Sequence, residues 1–160
     1  MPWLFIILLG AYTYPSYFKE DQRVNASIII DQVNKLGLDP HYFIAIAWVE
    51  SRVKSNRVSH TGDYGIFQIN YNFWGKKWGY TSKKKFLVDM SSPGHGVVAA
   101  AVVLKEMKKY KACKGLNLAA CYNGGPSWQR SKNIKKILEY ADRVNCIARA
   151  YRKKFPNWKQ

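Results

Sequence analysis

Phe43-Ile44-Ala45-Ile46-Ala47-Trp48-Val49-Glu50-Ser51-Arg52 is the stretch on which the reading of this chain turns. Seven apolar residues run without a break and then give way to a carboxylate. Upstream, Asp39-Pro40 is a helix-start signal, with Asp as N-cap and Pro at the first helical position. The spacing therefore predicts a helix from Pro40 to about Arg52. A helix that is apolar all round is buried. Glu50 at its end has two readings. Either the helix stops there and the side chain points to water or pairs with Arg52, or the carboxyl is buried. Burial disfavours the charged form, raises the pKa and leaves a general acid poised near neutrality.

Working outward, Val24, Ile28, Ile29, Val33 and Leu36 recur at helical spacing, and Gly37 can close that helix. Residues 53–82 read as irregular, rich in Gly, Asn, Ser and aromatics, with at most a small β element near Tyr64–Asn70. Ser92-Pro93 opens a helix through the Val/Ala-rich run Val97 to Leu104 and out to about Lys111. A short helix fits Leu118 to Tyr122, stopped by Gly124-Gly125-Pro126. The last helix is expected from about Asn133 to Lys153, with Ile137, Ala141, Val144, Ala148 and Tyr151 along one stripe. The expected fold class is mainly α, one domain, with a small irregular or β element near residues 64–70.

The whole chain of 160 residues carries 26 Lys+Arg against 10 Asp+Glu, a formal charge of +16. Such a field favours polyanions: nucleic acid, anionic lipid or an acidic wall polymer. Cys113, Cys121 and Cys146 form no CxxC pair, and His41, His60 and His95 are scattered, which argues against a zinc site. The three thiols allow one disulfide with one left over, or three small buried side chains. Trp3 to Tyr14 is an uncharged, largely apolar run of twelve residues, short for a membrane span and right for the apolar core of an export signal. No Lys or Arg precedes it and no A-x-A site follows, so an uncleaved anchor is the alternative. Residues 1–18 are accordingly assigned to an export signal or short membrane anchor, and residues 19–160 to the domain. An anchor would bring residues 3–14 into contact with a membrane.

Three strings then stand together: Glu50-Ser51-Arg52, Gly62-Asp63-Tyr64-Gly65-Ile66-Phe67-Gln68-Ile69 and Ala119-Ala120-Cys121-Tyr122-Asn123-Gly124-Gly125-Pro126. Their order and spacing resemble the soluble lytic transglycosylase domain, a goose-lysozyme-like superfamily. Glu139-Tyr140-Ala141-Asp142-Arg143-Val144 is similar to that family's segment opening the last helix. The resemblance spans about residues 27–154. It implies a lysozyme-like fold and a peptidoglycan lytic transglycosylase that cleaves the β-1,4 bond between N-acetylmuramic acid and N-acetylglucosamine without cofactor or metal. By the same resemblance Glu50 is the catalytic acid and then base, and Ser51 orients it or the substrate. Gln68 hydrogen-bonds sugar, Tyr122 lies close to the Glu50 carboxyl, Asn123 shapes the cleft and Glu139 is a supporting acid. Gly65-Ile66-Phe67-Gln68 departs conservatively from the family's pattern, Cys121 takes a place usually held by a small residue, and Arg143 replaces an expected aromatic. On helical projection Glu139 falls nearly opposite the apolar stripe, as a solvated charge would.

Two rival functions are kept. A goose-type lysozyme-like hydrolase would use a second carboxylate, and Asp63 in its turn is the candidate. A basic nucleic-acid- or wall-binding protein would use the charge alone, although the basic residues are dispersed and no nucleic-acid motif is present. The expected partners are peptidoglycan glycan strands and anionic wall polymers, with no nucleic acid and a monomeric chain. The expected location is the periplasm or cell envelope, or a virion if the gene is viral. Tyr71 to Tyr80 holds five aromatics, suited either to sugar stacking or to a small core under the loop. Gly94-His95-Gly96-Val97-Val98-Ala99 mimics a dinucleotide fingerprint but has neither the preceding strand nor the following acid.

Overall fold

A computed structural model describes residues 12–160. Residues 3–11 of the apolar run lie outside the described residues. The elements are α1 (Glu20–Lys35), α2 (Pro40–Ser51), β1 (Asp63–Tyr64), β2 (Ile69–Asn70), α3 (Lys83–Ser91), α4 (Pro93–Met107), α5 (Leu118–Gly124) and α6 (Ile134–Lys154). The fold is mainly α, with one two-residue antiparallel β pair among the described residues. No single helix among the described residues is long and apolar enough to cross a membrane.

Helix α2 is the buried centre, packed against α6 and α1. Ile44, Ala45, Ile46 and Ala47 have no exposed surface, and burying each isoleucine contributes about 1.5–3 kcal/mol. The helix begins as the sequence predicts, with the Asp39 side chain accepting the His41 N–H and Pro40 at the first position. Asp39 also accepts both a guanidinium nitrogen pair from Arg152 and a contact from His41 Nδ1, which ties the start of α2 to the end of α6. Burial pushes the Asp39 carboxyl up, but the hydrogen bonds from Arg152 and His41 outweigh it and leave the pKa lowered.

Helix α1 presents Gln22, Ala26, Ile29, Ile30 and Val33 to the core, while Ile28 and Leu36, expected on the apolar stripe, are exposed. Gln22 belongs to the buried face because its amide donates to the Arg52 carbonyl at 2.8 Å. Gly37 closes the helix at φ +67°, with its own N–H on the Asn34 carbonyl and the Leu38 N–H on the Val33 carbonyl. Helix α4 stops at Met107 rather than near Lys111, and a short turn at Lys111–Cys113 brings Cys113 to α5. Helix α3 was not foreseen: its Lys83-Lys84-Lys85 start hides the two buried contacts, Phe86 and Met90, one turn apart.

Residues 12–18, assigned by sequence to the leader, pack on the domain. Tyr12 and Phe18 are buried, Tyr12 donates to Asp31, and the Thr13 carbonyl accepts the Trp158 indole N–H.

Candidate active site

The last turn of α2 delivers Glu50 to the floor of a cleft of about 380 Å³. Directly after it the chain turns back through Arg52 at φ +59° and Val53 at φ +58°. A left-handed β-branched residue is a strained one. The surroundings hold it: Gln22 binds the Arg52 carbonyl, Asn25 binds the Val53 carbonyl, and the Val53 side chain has no exposed surface. Ser51 takes part in the same turn. Its buried hydroxyl donates to the Ala47 carbonyl and accepts the Lys54 N–H. Ser51 therefore fixes the end of the helix, and its hydroxyl bonds neither Glu50 nor the cleft.

Glu50 is half-buried, and burial pushes its carboxyl up to about 7. A hydrogen bond from the Tyr140 hydroxyl to Oε1, 2.6 Å, works in the opposite direction by favouring the carboxylate. The nearby Asp63 charge adds to the rise. Tyr140 is buried on α6 and its own pKa is raised well above normal, by burial first and by the Glu50 charge second. The sequence reading missed it. The signal was present: Tyr140 sits three residues after Ile137 and beside Ala141, within the buried stripe. A buried tyrosine hydroxyl needs a partner.

Tyr122 lines the cleft on α5, but its hydroxyl is not on Glu50. It donates to the Phe67 carbonyl at 2.8 Å and so ties α5 to the segment that carries Gln68. Tyr122 still shares the cleft with Glu50, and its pKa is raised well above normal by burial first and the Glu50 charge second, while the hydrogen bond to that carboxyl comes from Tyr140. Asn123 is exposed at the cleft wall, next to Gly125 and Pro126. Glu139 is exposed on α6 and does not line the cleft; its side chain leaves the helix on the solvent side, as the projection indicated.

The opposite wall comes from the β pair, where Asp63 faces Asn70 and Tyr64 faces Ile69. Between the strands, Gly65 at φ +79° passes so close to α3 that a Cβ would lie 2.0 Å from the Met90 carbonyl oxygen. Only glycine fits. Gln68, at φ +48°, spends both amide donors on the Gly65 and Arg57 carbonyls. Its carbonyl oxygen is left as an acceptor for a hydroxyl or amide in the cleft. Asp63 accepts from Ser59, Thr61 and Asn70. Burial pushes Asp63 up, but those three donors win and its pKa is lowered. The cleft thus brings together one carboxyl whose pKa is raised to about 7 and one whose pKa is lowered.

The aromatic loop divides between its two expected uses. Tyr71 and Tyr80 pack on Phe86 as a small core, whereas Phe73 and Trp74 line the cleft. Gly96 of the Gly-x-Gly string has a packing reason, since a Cβ there would meet the Phe67 ring at 3.0 Å. Cys121 also lines the cleft and is disulfide-bonded to Cys113, while Cys146 is free and exposed. Among the described residues no group of three His, Cys, Asp or Glu side chains is placed to hold a metal. A larger groove of about 610 Å³ lies on the other face of α4 and α5, beside Val98, Val102 and Leu118. Its one carboxylate, Asp39, is committed to Arg152 and His41.

A carboxyl with a raised pKa thus lies in a cleft walled in part by Phe73 and Trp74. The chain belongs to the Transglycosylase SLT domain family, whose model matches residues 27–144. Neither a curated protein nor a solved structure matches the chain. The family implies peptidoglycan as substrate.

Proposed function

We propose that the protein is a lytic transglycosylase that cuts the bond between N-acetylmuramic acid and N-acetylglucosamine, with Glu50 as its one catalytic acid–base group. The observation that carries this reading is the Glu50 carboxyl, raised to about 7 at the cleft floor and bonded by Tyr140. Glu50 gives its proton to the glycosidic oxygen as the bond to C1 of the muramyl residue breaks. The carbonyl oxygen of that residue's own N-acetyl group takes the electron-poor C1. The Glu50 carboxylate then removes the C6 hydroxyl proton, O6 displaces the acetamido oxygen at C1, and a 1,6-anhydro ring closes. No water enters. Tyr140 stabilises the carboxylate during the interval when the proton is absent. Gln68 and Asn123 hold sugar, and Phe73 and Trp74 stack on it.

A second reading is hydrolysis, favoured by one observation: Asp63 lines the same cleft and stays ionised. As general base it would activate water against C1. Against it, three of the roughly four lone-pair sites of that carboxylate are already taken by Ser59, Thr61 and Asn70. Asp63 then serves mainly as the fixed charge that helps keep Glu50 protonated.

The Cys113–Cys121 disulfide supports an oxidising location outside the cytoplasm, and the apolar run at residues 3–14 is its proposed route there. A wall-clearing accessory or a phage lysis protein would both fit this role. Replacing Glu50 by Gln and assaying release of soluble fragments from purified sacculi tests the reading. Loss of release with the fold intact supports it, and unchanged release refutes it.

A further inference from the structure

We propose that Lys77, held over the Phe73 and Trp74 rings on the cleft wall, reads a carboxylate on the glycan stacked there and so selects muramyl over neutral N-acetylglucosaminyl residues. This rests on the peptidoglycan-cleaving reading above.

Phe73 is 59% exposed, whereas Tyr71 two residues earlier is buried and Trp74, Trp78 and Tyr80 are partly buried. Its exposure is built. Tyr71 and Gly75 are buried, and the Tyr71 ring lies so near that a Cβ on Gly75 would come within 2.7 Å of it. The Asn70 side chain accepts the Phe73 N–H at 3.0 Å. Phe73 and Trp74 meet edge to face, ring centres 4.9 Å apart at 82°, so the cleft wall is a fixed two-ring platform. The Lys77 ammonium sits 5.1 Å from the Trp74 centroid and 6.0 Å from that of Phe73. Among the described residues Lys77 makes no ion pair. Glu106, whose carboxyl the Lys77 charge helps lower, is bonded to Lys109 at 2.7 Å. The cation on the platform is therefore available to an incoming anion.

Ring faces take the C–H face of any pyranose and do not distinguish one N-acetylhexosamine from another. A cation beside them distinguishes only sugars that carry charge. Muramic acid differs from N-acetylglucosamine by a lactyl ether ending in a carboxyl, free or extended by an acidic peptide. Lys77 meets that difference and nothing else.

Binding to the Glu50→Gln protein separates the terms, because it needs no turnover. The probes are a muramyl-containing tetrasaccharide with free lactyl carboxylates and neutral chitotetraose, titrated calorimetrically. Lys77→Met should weaken the muramyl probe about three- to fivefold, the range of a solvent-exposed ion pair, and leave chitotetraose unchanged. Lys77→Arg should retain the preference, and Phe73→Ala should weaken both probes. Equal effects of Lys77→Met on both probes, no effect on the muramyl probe, or a Glu50→Gln parent that binds the two alike would overturn the proposal. A protein with Glu50 intact that shows this binding pattern yet cleaves nothing would refute the enzymatic reading while the assignment of Lys77 stands.

Discussion

Glu50 and Tyr140 make a matched pair in which burial raises the acid and the phenol restrains the rise. A general acid works in its protonated form, so turnover should hold below about pH 7 and fall as pH rises through the Glu50 pKa. Glu50→Gln should cost about 10²–10⁴-fold in rate. The same substitution should stabilise the fold above pH 5. Below the unfolded-state pKa both states hold the proton and Glu50 contributes nothing. Between that value and about 7 the unfolded chain releases the proton while the folded chain keeps it, so wild-type stability declines across this window and levels off above it. The difference amounts to roughly 3 kcal/mol, and thermal unfolding of both proteins at pH 4 and pH 8 measures it. Glu50→Gln should melt higher only at pH 8. Tyr140→Phe removes the donor that favours the carboxylate, so the alkaline limb of kcat should move up by about one pH unit while kcat itself drops. A pH–rate profile with an unmoved limb would show that Tyr140 does not touch the working acid.

At the scale of elements, legibility followed the strength of local signals. The start of α2 at Asp39-Pro40 and the closure of α1 by Gly37 were readable because each has a local chemical cause. A carboxylate after seven apolar residues marks the end of α2, but position alone leaves it open whether Glu50 points to water or is buried, and the motif strings further along the chain are what single it out. Partners brought from far along the chain were not readable. Tyr140 meets Glu50 across 90 residues of sequence, and the Tyr122 hydroxyl is turned to the Phe67 carbonyl by another long-range pairing. Helix α3 was missed because its two core contacts are too few to show a period. The disulfide was likewise open, since three cysteines give three pairings. Cys113–Cys121 closes a short loop of separation 8 and anchors the helix that carries Tyr122 and Asn123. Reducing it, or replacing both cysteines by serine, should cost about 2–3 kcal/mol by chain entropy. The expected outcome is an earlier melt and weaker activity under reductant. Identical melting with and without reductant would show that the bond does not support α5.

For the whole molecule, the formal charge of +16 favours docking on an anionic polymer. Exposed charges are screened beyond a Debye length of about 8–10 Å, so added salt should reduce activity on intact anionic sacculi far more than on short neutral oligomers. Equal salt sensitivity on both substrates would mean that the charge does not dock the enzyme on its wall. If one acid–base glutamate closes a ring without water, the products carry the mark of it. Digestion of sacculi in water labelled with heavy oxygen, followed by mass spectrometry of the released fragments, should give 1,6-anhydromuramyl ends lighter by one water and free of label. Reducing muramyl ends carrying the label would contradict the account and assign the second step to water, with Asp63 as its base.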